Sequence, residues 1–184
     1  FVVKGNPDFS LARSETSRSL LLHTAAESFP YRGGALAWHL IRLLSVALGA
    51  VTVLMTYYIA LELFPTAREI ALGAAAVNAF LPGFVFISAA VNNDNLVTTL
   101  SVAAVLQSLR IARGGMGWPS YFLLGVLTGL AILAKISALI LLPLVALAVL
   151  FAARHQPGAR QEVVRFVALR LSLIAVSVGI VAGW

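Results

Sequence analysis

The sequence predicts an all-α fold, a polytopic transmembrane helix bundle of about six membrane spans preceded by part of an outer loop. Three observations predict it. Of the 184 residues, 60% are hydrophobic and only 11% are charged, where a soluble domain carries about 25% charged residues. Mean hydropathy is +0.96. The apolar stretches approach the roughly 20 residues needed to cross about 30 Å of hydrocarbon. They are continuous, without the alternating period of a barrel strand, so only helices satisfy the backbone in lipid. With no cysteine in the chain, stability must come from helix packing rather than from disulfides.

Residues 1–35 come first and are polar, with Lys4, Arg13, Arg18 and Arg32 set against Asp8, Glu15 and Glu27 and with turn signals at GNPD, FPY and RGG. They read as the tail of a first extracytoplasmic loop. The chain starts at Phe1 without a signal-like segment and stops inside an apolar run, so it reads as a piece of a longer polypeptide. Residues 36–61 form the first expected span, 70–91 the second and 95–112 the third. The run from Trp118 to Ala153 contains one charge, Lys135. As a single helix it would be about 50 Å long, so it is divided at Lys135 into a fourth and a fifth span. Residues 166–184 make the sixth. Asn78 and Pro82 predict a kink in the second span, its freed carbonyl met by Asn78 or by a neighbouring helix. Gly125 and Gly129 have the spacing of a close helix–helix contact.

The formal net charge of +6 would suggest nucleic acid in a soluble protein. Here the basic residues sit in short loops, so they report topology and no nucleic-acid partner is expected. Loops 62–69, 110–117 and 153–165 hold Arg68, Arg110, Arg113, Arg154, Arg160 and Arg165. The positive-inside rule assigns them to the cytoplasm. Asp94 and Lys135 then share the outer face of the cytoplasmic membrane. The preference for Arg over Lys and the abundance of Ala suit a bacterial chain.

The polar stretch VNNDN at 91–95 interrupts two uncharged segments. Asp94 can bind a divalent cation, position a hydroxyl or stabilise an oxocarbenium-like centre. The plainer reading is a helix N-cap, which Asn93, Asp94 or Asn95 would serve equally well. Lys135, in LLAKISALI, is a candidate phosphate ligand, since a cation at the acyl–headgroup boundary suits a phosphorylated lipid. Its plainer reading is an interfacial lysine that snorkels. His39 and Arg42 share a helical face at the outer start of the first span. They could contact a phosphate or a sugar, or anchor the interface together with Trp38.

The succession HLIRLLSVALGAVTVLMTYYIALELFP, LPGFVFISAAVNNDNLVTTL, LLGVLTGLAILAKISALILLP and VAGW resembles the polytopic GT-C glycosyltransferases, in particular the protein-mannosyltransferase-like and aminoarabinose-transferase-like branch. The resemblance covers roughly residues 36–184. It implies a membrane glycosyltransferase that moves a sugar from a polyprenyl-phosphate donor to an acceptor on the extracytoplasmic face. It also implies that Asp94, with Asn93 beside it, holds the place of the family's second outer-loop acid. Lys135 would hold the lipid phosphate, and His39 and Arg42, from their own position, are added to it as candidate phosphate-binding residues. A divalent cation at the acid is compatible with this scheme. The family's first acid, from an Asp-Glu pair in the first outer loop, has no match among Asp8, Glu15 and Glu27 and is expected upstream of Phe1, so the piece alone would be inactive. The alternatives are a secondary transporter, with Asp94 and Lys135 lining a path, or a non-catalytic membrane scaffold.

Overall fold

A computed structural model describes residues 29–156 and 158–183, and every regular element among them is helical. The helices are α1 (Gly33–Leu63), α2 (Arg68–Phe80), α3 (Pro82–Ala89), α4 (Asp94–Ala112), α5 (Trp118–Ala134), α6 (Leu141–Ala153) and α7 (Arg160–Ala182), with a 3₁₀ segment Ile136–Ile140 ahead of α6. Among the described residues four stretches are long and apolar enough to cross a membrane: α1, α4, the continuous Ile136–Ala153 and α7. The bent α2–α3 pair counts as a fifth, and α5 is a shorter apolar helix. At 17 residues, α5 is about 26 Å long. The six predicted runs are thus all present as helices. By contact density the chain divides after Leu44, and the two parts are described separately.

Both breaks in the apolar runs have local causes. Pro82 has no N–H, and it holds Leu81 extended (φ −68°, ψ 115°). The two halves of the second run consequently meet at 61°. The carbonyl that Pro82 frees belongs to Asn78 itself. Contrary to the sequence expectation, the nearby Leu81 N–H meets it (3.3 Å). The Asn78 side chain instead donates to the Thr56 hydroxyl of α1 (3.0 Å). At the other break Lys135 is fully extended (φ −159°, ψ 126°), which stops α5 at Ala134. The chain restarts through the 3₁₀ segment, where the Ala138 N–H returns to the Lys135 carbonyl (3.0 Å).

In the second part α5 packs against both α4 and α7, and α6 packs against α4. Gly125 and Gly129 make the α5–α7 approach possible. A Cβ at Gly125 would fall 2.6 Å from Ser177 Cβ, and one at Gly129 would fall 2.9 Å from Val181 Cβ. Small residues at this spacing let two backbones come close in lipid, where packing replaces the hydrophobic effect as the driving force. Ile111, Tyr121, Leu124 and Val149 fill the interior. Arg170, within the sixth run, lays its guanidinium over Tyr121 (4.8 Å) and Phe166 (5.3 Å), two ring faces that help a cation inside an apolar span.

The loops sort to two ends. Glu62 bridges Arg110 (3.0 Å) and Arg113 (3.1 Å). Gly114, at φ +86°, lies so near His155 that a Cβ there would meet it at 3.1 Å. The three arginine-bearing loops therefore gather at one end, and the start of α4 meets the end of α5 at the other.

Candidate functional site

Each polar residue of the 92–95 stretch has its own partner. Asn92 Oδ1 accepts the Asn95 N–H (3.3 Å), so Asn92 does the local work of an N-terminal cap. Asn93 precedes the first helical residue of α4 but makes no side-chain capping bond. Its Nδ2 donates across the interface to the Ala134 carbonyl (3.1 Å), one of the acceptors left open where α5 ends. Asp94 opens α4 and points its carboxylate at Lys135, with Nζ to Oδ1 at 2.5 Å. Asn95 is buried and donates to the Ile87 (3.0 Å) and Ala90 (3.1 Å) carbonyls at the close of α3. Of the three residues expected as caps, none caps by its side chain, and Asn92 takes that part.

Two parallel links, Asn93 to Ala134 and Asp94 to Lys135, thus fasten the start of α4 to the extended joint after α5. The Asp94 and Lys135 side chains are 41% and 44% exposed. They remain open to a ligand, and the pairing relieves the cost of an ammonium among apolar neighbours. The ammonium has three N–H donors and Asp94 takes one, which leaves two for another acceptor. Among the described residues nothing donates to the second oxygen of Asp94. The pair borders a pocket of about 310 Å³ whose walls include Thr52, Phe84, Asn95 and Thr98.

Behind the pocket runs a polar seam that sequence reading missed. The Thr52 and Thr99 hydroxyls lie 2.9 Å apart. Both reach the Leu48 carbonyl, at 3.0 and 3.1 Å, and Thr99 also reaches Asn95 O at 2.8 Å. Further along α1, Thr56 donates to Thr52 O (2.9 Å) and accepts from Asn78. The signal for it was Thr52 and Thr56 one turn apart in an otherwise apolar run.

His39 and Arg42 belong to the part of the chain before Ser45. His39 stacks on Tyr31 (centroids 3.7 Å apart) and donates from Nδ1 to the Ala35 carbonyl (2.8 Å). Arg42 sits over the Trp38 ring at 6.0 Å. Those contacts are the ones the anchoring reading describes. Asp8, Glu15 and Glu27 lie outside the described residues. Among the described residues no three His, Asp or Glu side chains converge. One carboxylate already paired with an ammonium is a poor match for a divalent cation, which takes six or more oxygens.

Several apolar helices of membrane-spanning length define a multi-pass membrane protein. Residues 34–182 match the family model of dolichyl-phosphate-mannose-protein mannosyltransferases. The chain belongs to that family, and with it to the membrane glycosyltransferases of the mannosyltransferase type. No curated protein and no solved structure matches it.

Proposed function

We propose that this chain carries the donor-phosphate part of a site that transfers a sugar from a polyprenyl-phosphate carrier to an acceptor on the extracytoplasmic face of the cytoplasmic membrane. The observation that carries the reading is the half-exposed Asp94–Lys135 pair on the rim of the pocket, at the end away from the arginine-bearing loops. The positive-inside rule gives the arginines to the cytoplasm and the pair to the outer side.

In the reaction the acceptor hydroxyl attacks the anomeric carbon and gives its proton to a base. The bond from that carbon to the phosphate oxygen breaks, and its electron pair leaves with the polyprenyl phosphate. Lys135 supplies the positive charge that steadies the departing phosphate through the two N–H donors that Asp94 leaves open. Asp94 holds the ammonium in place and offers its second oxygen to a sugar hydroxyl. Asn93 keeps the joint at Lys135 fixed to α4. His39 and Arg42 are further phosphate-side candidates, and the acceptor's base is assigned to the first outer loop.

The test is donor affinity in nanodiscs at two ionic strengths. Lys135→Met keeps the length and apolar volume and deletes the charge, so donor binding weakens, and the salt dependence weakens with it. Lys135→Arg retains part of the affinity. Wild-type affinity in Lys135→Met makes Lys135 an interfacial anchor and removes the phosphate site.

A further inference from the structure

A second concavity lies at the opposite end, between α6 and α7, and the proposed transfer chemistry makes no use of it. It encloses about 580 Å³, within the roughly 300–1,000 Å³ of small-molecule sites. Its walls are aliphatic, including Leu150, Val163, Val167 and Leu171, and among the described residues Arg154 is the one charged residue that lines it. The Arg154 guanidinium rests one face on Phe151 at 4.4 Å. No carboxylate among the described residues pairs with it, so none of them competes for its N–H donors. Arg160 opens α7 one turn before Val164 of the same wall, and it is exposed. The nearby acid, Glu162, accepts the Ala159 N–H (3.3 Å) at the start of α7.

A greasy groove with Arg154 in its lining and Arg160 one turn from its wall, set in a membrane-spanning pair of helices, matches an amphiphile with one negative end. We propose that this groove seats an anionic phospholipid, with an acyl chain between α6 and α7 and its phosphodiester on Arg154 and Arg160. A zwitterionic lipid fills the groove equally well, but its own ammonium cancels much of the attraction. Selection is therefore for the head group rather than the chain, and it does not depend on how the Asp94–Lys135 site is read.

The experiment is native mass spectrometry of the protein released from micelles containing equal amounts of dioleoyl phosphatidylglycerol and dioleoyl phosphatidylcholine. Wild type should retain one phosphatidylglycerol with a preference of about tenfold, the scale of one or two basic residues facing an anionic head. Arg154→Gln should cut that preference roughly fivefold, and Arg154→Lys should keep most of it. Ala168→Trp, which fills the groove from an exposed position in its wall, should abolish retention of both lipids. Undiminished phosphatidylglycerol retention in Arg154→Gln or in Ala168→Trp would put the lipid elsewhere and overturn the proposal. So would a dimer that Ala168→Trp splits into monomers, since the groove would then be a self-association face.

Discussion

Removing the charges of the Asp94–Lys135 pair one at a time and together separates a structural link from a functional one. Both side chains are more than two-fifths exposed (41% and 44%), and an ion pair that open to its surroundings is worth about 0–1 kcal/mol. Asp94 also sits in the first turn of α4, where a carboxylate gains about 0.3–1 kcal/mol from the helix dipole. Asp94→Asn should therefore cost less than about 2 kcal/mol of stability. The stability coupling between Asp94→Asn and Lys135→Met should stay below about 1 kcal/mol. The amide is nearly isosteric and leaves the Asn93 bond to Ala134 untouched.

Transfer activity should respond on another scale. Deleting a group aimed at developing negative charge costs about 100- to 1,000-fold in turnover, or roughly 2.7–4 kcal/mol at 1.36 kcal/mol per tenfold. If Asp94 acts largely by holding Lys135, the double variant should lose little more activity than Lys135→Met alone. The assay combines thermal unfolding of the intact enzyme in nanodiscs with sugar transfer from a lipid-linked donor, measured for wild type, both single variants and the double variant. Wild-type turnover in Asp94→Asn would refute the reasoning and reduce the carboxylate to a helix-end charge. A stability loss well above 2 kcal/mol, with activity falling only in proportion, would make the pair a structural clasp.

Three further outcomes test the arrangement. Cysteines replacing Asn93 and Gly115 should differ in labelling by a membrane-impermeant reagent on intact cells, with Asn93→Cys labelled and Gly115→Cys protected; equal labelling contradicts the two-ended sorting of the loops. Gly125→Ala places a Cβ 2.6 Å from Ser177 Cβ and 3.0 Å from the Ile174 carbonyl oxygen, so it should destabilise the protein by about 1–3 kcal/mol, and an unchanged melting temperature would mean that α5 and α7 are not in close contact. Thr99→Val removes the hydroxyl between Thr52, Leu48 and Asn95 and should cost about 1 kcal/mol, read by the same melting assay, with no loss expected only if the seam is satisfied without it.

Properties set by segment length and composition were legible in the sequence, and properties set by the meeting of two segments were not. The six runs follow from hydropathy. The division at Lys135 follows from a length argument, and the extended backbone at that residue bears it out. The juxtaposition of Asp94 and Lys135 came from alternating the spans and counting arginines in loops, because alternation fixes which ends share a side and the arginines say which side that is. That argument brings the two residues to one end of the bundle. It gives no reason for an ammonium to meet one particular carboxylate.

The pairing depends on how α4 is seated among its neighbours, and several determinants of that seating are small or neutral side chains that carry no hydropathy signal. Thr52, Thr99 and Asn95 look like noise in an apolar run, yet in lipid an unpaired hydroxyl or amide has no water to turn to, so such groups seek partners on neighbouring helices. Glu62 and Arg170 escaped notice for a similar reason, since partners that make them tolerable, Arg110 and Arg113 for one and Tyr121 for the other, lie far away along the chain. The Asn-Asn-Asp-Asn stretch at 92–95 raised the question because four polar groups exceed what one helix end needs. One of them serves the start of α4, and the other three reach outward to the end of α3, the end of α5 and Lys135. A surplus of polar residues at a helix end within a membrane protein is thus a sign that several chain segments converge there, even before their identities are known.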